Sequence, residues 1–169
     1  TWGAPECVRL LPGVIGSYTS VAAAPDGTVW VAGYNEADWN NDVPYGDLVV
    51  GKLDATTQQV AWTSVDGVPS EPAPDSKAYD LTSWRGGQQD PGPDVGLWTS
   101  LVIDPFGNPR VAYYDSTNTA LKLAVFDGTA WSTHTVYTRD DTEAGRYAKL
   151  LIVNGKLVVA FQVIEASEG

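Results

Sequence analysis

One cysteine, one histidine and no methionine stand in a chain of 169 residues. The lone Cys7 cannot form an internal disulfide framework, and the lone His134 excludes a zinc site built on several histidines. Positive charge is scarce as well: 10 Lys and Arg face 21 Asp and Glu, for a formal charge of −11. Nucleic acid requires a basic face to neutralise its phosphates, so it is excluded as a partner. No apolar run approaches the roughly 18 residues that a membrane-spanning helix requires. No stretch of 11 or more residues carries a helical period either. Residues 1–6 lack the basic start and apolar stretch of a secretory signal, so any such leader is expected to have been removed. Without methionine, the chain reads as a processed product, an excised fragment or an incomplete record.

What is present is apolar, aromatic and finely punctuated. Hydrophobic residues make up 43% of the chain, too many for an acidic disordered tail. The length suits one domain with a core and falls short of two full-sized ones. Gly, Pro, Asn and Asp recur throughout and break the apolar runs into short strands.

The chain repeats itself. Gly16-Ser17-Tyr18-Thr19-Ser20-Val21 matches Gly96-Leu97-Trp98-Thr99-Ser100-Leu101, and Gly145-Arg146-Tyr147-Ala148-Lys149-Leu150 is a weaker echo. Each opens a short apolar run that ends in a tight turn: Pro25-Asp26-Gly27, Asp104-Pro105-Phe106-Gly107-Asn108 or Asn154-Gly155. Such turns require positive φ and are strong hairpin signals. A second run follows each turn, at 29–34, 110–114 and 157–164, and two more follow in the first two units, at 47–54 and 60–65 and again at 120–127 and 130–136, with Trp62 and Trp131 near the start of the last. Each complete unit therefore reads as four short strands, and the chain as all-β.

The pattern T-S-L-x-x-D-x-x-G-x-P-x-x-A-Y-Y-D-x-x-x-x-x-L-K-x-A-x-x-D-G-x-x-W runs from Thr99 to Trp131. Trp84-Arg85-Gly86-Gly87 and Asp90-Pro91-Gly92-Pro93-Asp94-Val95-Gly96 lead into it. This pattern resembles the repeat of secreted bacterial β-propeller proteins, over most of residues 16–164. The resemblance implies antiparallel four-stranded blades of a propeller that is incomplete in this chain, in a secreted or cell-surface protein. Residues 16–66 and 96–138 would be two blades joined by a long connecting loop, 67–95, and 139–169 the start of a third. Residues 1–15, through Cys7-Val8-Arg9-Leu10-Leu11, would give a strand to a preceding blade. Two and a half blades would leave large apolar faces, since propellers usually close with four or more. Other blades or chains are therefore the expected partners.

In a propeller the long segments 35–46 and 66–95 would lie on one face. Long loops on a rigid scaffold commonly carry function, although these would equally serve to cover a neighbour. They hold Trp39, Tyr45, Tyr79, Trp84 and Arg85, the candidate contacts to a glycan or protein ligand. Asp38-x-Asn40-x-Asp42, with Asp47, has the alternating oxygens with which a loop wraps calcium. Val43 stands where an EF-hand loop needs Gly and Val49 where it needs Glu, and a solvated polar turn is the plainer reading. Trp30, Trp62 and Trp131 fall within strands and read as packing. Tyr18 and Trp98 recur at the same place in each unit, which also favours scaffold over site.

Enzyme signatures are weak. Pro25-Asp26-Gly27-Thr28-Val29-Trp30 only partly fits a sialidase-like box, nothing selects a carboxylate pair for glycoside hydrolysis, and His134 sits in an outer strand without an elbow serine. Cys7 reads as a small apolar strand residue, or as a link to another chain if exposed. The expected function is a non-enzymatic extracellular binding or assembly module. The alternatives are a fragment of a catalytic propeller, such as a polysaccharide hydrolase or lyase, or a purely structural surface repeat.

Overall fold

A computed structural model describes residues 14–40, 43–68 and 92–165, with the backbone alone at 14–15, 37–40 and 43–44. The described residues form ten strands and no helix. They are β1 (Val14–Ala23), β2 (Val29–Asn40), β3 (Val43–Leu53), β4 (Val60–Asp66), β5 (Val95–Ile103), β6 (Pro109–Asp115), β7 (Ala120–Phe126), β8 (Trp131–Tyr137), β9 (Thr142–Val153) and β10 (Lys156–Glu165). Each strand pairs antiparallel with its successor within three separate sheets, ordered β1-β2-β3-β4, β5-β6-β7-β8 and β9-β10. The all-β reading and the grouping of strands into units of four, four and two follow from the repeat.

Aspartates close the turns between strands. Asp26 accepts a hydrogen bond from the Thr28 N–H at 2.9 Å. Asp104 takes those of Phe106 and Asn108 at 2.8 and 2.9 Å, and Asp127 those of Thr129 and Ala130, both at 2.8 Å. A carboxylate bonding backbone N–H groups two to four residues ahead fixes a tight turn, with glycine supplying positive φ at Gly27, Gly107 and Gly128. Much of the acidic excess is thus turn chemistry.

The segment 35–46 differs from expectation. Instead of forming a loop, β2 and β3 stay paired beyond Asn35↔Asp47 through Glu36↔Gly46 and Ala37↔Tyr45 to Asn40↔Val43. The segment is therefore mostly ladder. The long connection of the first unit is a lengthened hairpin, and aromatic and β-branched residues such as Tyr34, Val43 and Tyr45 suit that pleated backbone.

The sheets stack. β5 lies against β1, β2 and β3, and β9 against β5, β6 and β7. One apolar seam joins Ala32, Leu48 and Val50 of the first sheet to Val95, Leu101, Val111, Tyr113 and Ala124 of the second. Another joins Ala112 and Leu121 to Ala148 and Leu150 of the third. Because side chains alternate along a strand, Val111 and Tyr113 enter one seam while Ala112 enters the other. That is why β6 reads as nearly continuous apolar sequence. The third sheet lacks such cover, and Leu151, Val153 and Val158 are exposed on it.

Each seam closes on a glycine. A Cβ built on Gly96 (φ +101°) would stand 2.7 Å from the Leu48 Cα, and one on Gly145 (φ +118°) 2.9 Å from the Leu121 Cα. Leu48 and Leu121 hold the same place on the third strands of their sheets. Gly16, the matching residue of β1, has nothing within 4 Å among the described residues. Gly96→Ala or Gly145→Ala is expected to destabilise the fold by roughly 3 kcal/mol, combining steric overlap with left-handed strain. Gly16→Ala is expected to fall within about 0.5 kcal/mol of wild type. Urea unfolding of the three variants checks this, and equal costs at all three positions would contradict it.

Candidate binding surface

Of the residues expected to meet a ligand, Tyr79, Trp84 and Arg85 lie outside the described residues, and for Trp39 only the backbone is described. Tyr45 is buried, so its ring is not offered to solvent. Asp42 and the side chains of Asp38 and Asn40 are likewise outside the described set. Asp47 is buried, with its carboxylate against Gly67 (φ +106°). No group of three or more His, Cys, Asp or Glu among the described residues is arranged to hold a metal ion.

The strand tryptophans are in the packing. Trp30 and Trp131 both lean on Phe126, with ring centroids 5.8 and 5.2 Å away, at the rim of the first seam. His134 is exposed on the outer strand β8, its Nε2 3.3 Å from Ser132 Oγ. Asp115 caps the turn after β6 by accepting from the Asn118 N–H at 2.8 Å. The Ser116 N–H goes instead to the Asp94 carbonyl.

A different set of side chains converges on the first strand of each sheet. Tyr18, Trp98 and Tyr147 occupy the same place in β1, β5 and β9, and each sits inside a β-bulge. Three residues on the first strand, from Ser17 to Ser20, Leu97 to Ser100 and Arg146 to Lys149, advance against two on its partner. The aromatic residue is the one that absorbs the irregularity, with φ of 56°, 50° and 55°. Left-handed backbone is unusual for a bulky residue and costs on the order of 1–3 kcal/mol per site. A bulge re-aims a side chain, and here it turns all three rings into one row. Ring centroids lie 4.9 Å apart from Tyr18 to Trp98 and 5.3 Å from Trp98 to Tyr147, tilted by 53° and 52°. Tyr34 and Tyr114 meet the row edge-on from the second strands, at 6.1 and 5.5 Å. The end rings remain accessible: Tyr18 is 39% exposed and Tyr147 62%.

Polar links brace this row at both seams. Ser20 Oγ accepts from the Leu101 N–H at 3.0 Å, and Ser100 Oγ from the Leu150 N–H at 2.9 Å, the same bond one unit on. Thr99 Oγ1 donates to the Tyr18 carbonyl. Tyr34 donates its phenol proton to Asp94 Oδ1 at 2.7 Å across the first seam. At the second seam the guanidinium of Arg146 lies 5.4 Å from the Trp98 centroid and 5.7 Å from that of Tyr114, and pairs with Glu143 at 2.5 Å. Deeper in the first seam, Asp66 accepts from Tyr113 Oη at 2.6 Å and from Lys122 Nζ at 2.5 Å, and Asp115 stands 3.7 Å from the same ammonium. Burial, then the charge of Asp66, pushes the Tyr113 phenol well above its ordinary range, so it stays a neutral donor. Burial, then the bond to Asp94, does the same for Tyr34.

The arrangement suits contact rather than covalent chemistry. A recess of about 290 Å³ holds Asp141, Glu143 and Glu165, yet Glu143 is paired with Arg146, and Glu165 lies 3.5 Å from Arg139. The row, by contrast, packs its rings against one another, with the end rings Tyr18 and Tyr147 exposed. Sequence reasoning assigned Tyr18 and Trp98 to packing, and the third ring, Tyr147, was visible only as a weak echo. The signal was the recurrence of Gly-x-aromatic at each unit start. No helix of the described residues is long and apolar enough to cross a membrane. No protein-family model matches the chain. No curated protein shows significant similarity to it.

The aspartates separate by environment. Burial raises the Asp94 carboxyl above its ordinary value, against the opposing bond from Tyr34. Backbone N–H groups, from Thr57 first at Asp54 and Ala130 first at Asp127, hold those two below it. The signs therefore oppose. The turn aspartates contribute stability above the unfolded aspartate pKa, and this is lost as pH falls through their folded values. Asp94 favours the fold when protonated, and that contribution is lost as pH rises through its folded value. A carboxyl-detected NMR titration is expected to order them Asp54 and Asp127 below an unperturbed aspartate and Asp94 above it. Asp94 titrating with the turn aspartates would contradict the assignment.

Proposed function

We propose that the three sheets are successive blades of an incomplete β-propeller, and that the chain is a non-enzymatic extracellular module for binding and assembly. One observation carries this reading: the joint between sheets is built twice with the same parts, and its glycine half recurs on β1 with nothing against it among the described residues. In each joint a glycine of the later sheet lies on the backbone of a leucine in the earlier one. A serine hydroxyl of the earlier sheet accepts from the N–H three residues beyond the later aromatic ring, at Leu101 and at Leu150. On β1 the equivalent residues are Gly16, with open space around it, and Val21, whose side chain is 65% exposed.

A surface so shaped fits another four-stranded sheet of the same kind, with a serine on its first strand and an apolar third strand. The opposite end supports the same view. Among the described residues the third sheet has two strands against four in the others, and an apolar cleft of about 100 Å³ between it and the second sheet is lined by Leu121, Leu123, Val136, Leu150, Leu157 and Val159. Unpaired edges and uncovered apolar faces drive association in water. The ligand of the assembled module is proposed to be a glycan or a protein.

Native mass spectrometry of the chain checks the reading. Association into species at multiples of the monomer mass is expected. Gly16→Arg, placed where space is open, is expected to abolish that association while leaving the monomer folded. A monomer that persists at all concentrations, with its apolar faces uncovered, would overturn the assembly reading.

A further inference from the structure

We infer that the open edge of β10, with the apolar cleft beside it, takes an extended strand from a partner chain. That strand carries an apolar side chain where β7 carries Lys122. The inference rests on the assembly reading above and names what docks on the third sheet. Backbone pairing leaves the edge ready. β10 is bonded to β9 on one side, and no strand among the described residues lies on its other side. Val153 and Lys156 face each other across the two-residue turn Asn154-Gly155 and exchange backbone bonds. By alternation, the N–H and C=O groups of Leu157, Val159, Phe161 and Val163 point to the open edge. Leu150, opposite Val159, agrees: its N–H turns away from β10 to Ser100 Oγ. In the second sheet the same place is filled, since Val111, opposite Leu101, pairs onward with Ala124 of β7. No residue of β10 is buried, whereas all of β6 but Arg110 is.

A strand added at this edge lies over β7 and β8. Its side chains alternate, and one set enters the cleft between Leu121, Leu123 and Val136 of the second sheet and Leu157 and Val159 of the third. The repeat specifies that set. Phe161 stands where Tyr113 does, and Tyr113 is opposite Lys122, whose ammonium is received by Asp66 across the first seam. Asp66 lies opposite Leu48, and at the matching place opposite Leu121 stands Tyr137. Tyr137 packs on Phe161, with centroids 5.3 Å apart, and offers no carboxylate. A lysine in the added strand would be buried there without a counter-charge, which is costly. β3 shows the alternative within this chain: Val49 holds the place of Lys122 and is fully buried.

Geometry chooses the occupant. A second copy that pairs β10 against β10 does so across a two-fold axis perpendicular to the sheet, which leaves both second sheets on the same face. Each second sheet is four strands wide, so each would need the space under the other copy's two strands. An extended segment brings no such sheet. It satisfies the edge groups and covers Leu157 and Val136, which are 41% and 48% exposed.

NMR titration of the full chain with a synthetic peptide of residues 46–54, the β3 sequence from Gly46 to Asp54, tests the inference. Binding is expected to slow amide hydrogen exchange at Leu157, Val159 and Phe161, whose N–H groups face the edge. The same peptide carrying Val49→Lys is expected to bind about tenfold more weakly or worse. Val159→Pro in the protein removes one edge N–H without touching the pairing with β9, and is expected to abolish binding. Val136→Asp, at an exposed position on the far wall of the cleft, is expected to do the same and keeps the test open if the proline variant does not fold. Wild type that does not bind, equal binding of the two peptides, or binding untouched by Val136→Asp would overturn the inference. So would edge amides protected before peptide is added, which would make a second copy the occupant. Native mass spectrometry of the same samples separates the two readings: self-association without peptide binding defeats only this inference, and peptide binding by a persistent monomer defeats only the assembly reading.

Discussion

The architecture depends on how closely one sheet's first strand approaches the third strand of the sheet before it. At Gly96 and Gly145 there is no room for a side chain, since a Cβ there would stand within 3 Å of a leucine Cα. That approach brings the apolar faces into contact, and close packing is what makes buried apolar area stabilising. It also sets the serine hydroxyls within reach of the next strand's N–H groups. The seam between sheets is thus dry where the leucines and valines meet and hydrogen-bonded where backbone is exposed to it.

The bulges recur at the same place on each first strand, where one extra residue stands two positions after the glycine. That residue is aromatic in each sheet, and its ring is carried toward the matching rings of adjacent sheets. A repeated local irregularity becomes a continuous surface only because the sheets are stacked. Tyr18, Trp98 and Tyr147 make a row whose spacing is set by the seams.

Acidic residues divide between two roles that composition alone cannot separate. Asp26, Asp54, Asp104 and Asp127 hold turns through backbone N–H groups. Asp66 and Asp94 hold sheets together by accepting hydrogen bonds across the first seam, Asp66 from Tyr113 and Lys122 of the second unit and Asp94 from Tyr34 of the first. The turn aspartates were legible because the carboxylate acts on residues two to four positions ahead, inside the motif being read. The bridging ones were not, since Asp94 and Tyr34 are 60 residues apart and Asp66 and Tyr113 are 47. The segment 35–46 was misread as a loop for a related reason. Its polar residues imitate a loop, and the pairing that makes it strand comes from across the hairpin.

What the amino-acid order determined by itself was local and periodic. Turns of Asp, Asn and Gly cut the chain into short strands, alternation assigned their faces, and recurrence of Gly-x-aromatic grouped them into units. These are properties of a few neighbouring residues, and no long-range contact is needed to express them. Tertiary structure decided which side of each strand is covered, and with it whether an aromatic ring is core or surface. Trp30, Trp131, Tyr18 and Tyr147 are all aromatic residues within strands. The first two pack against Phe126 and the first seam, whereas the latter two are exposed at the ends of a row. Exposure is a property of the neighbouring sheet rather than of the residue, and so it could be read only once the sheets were stacked.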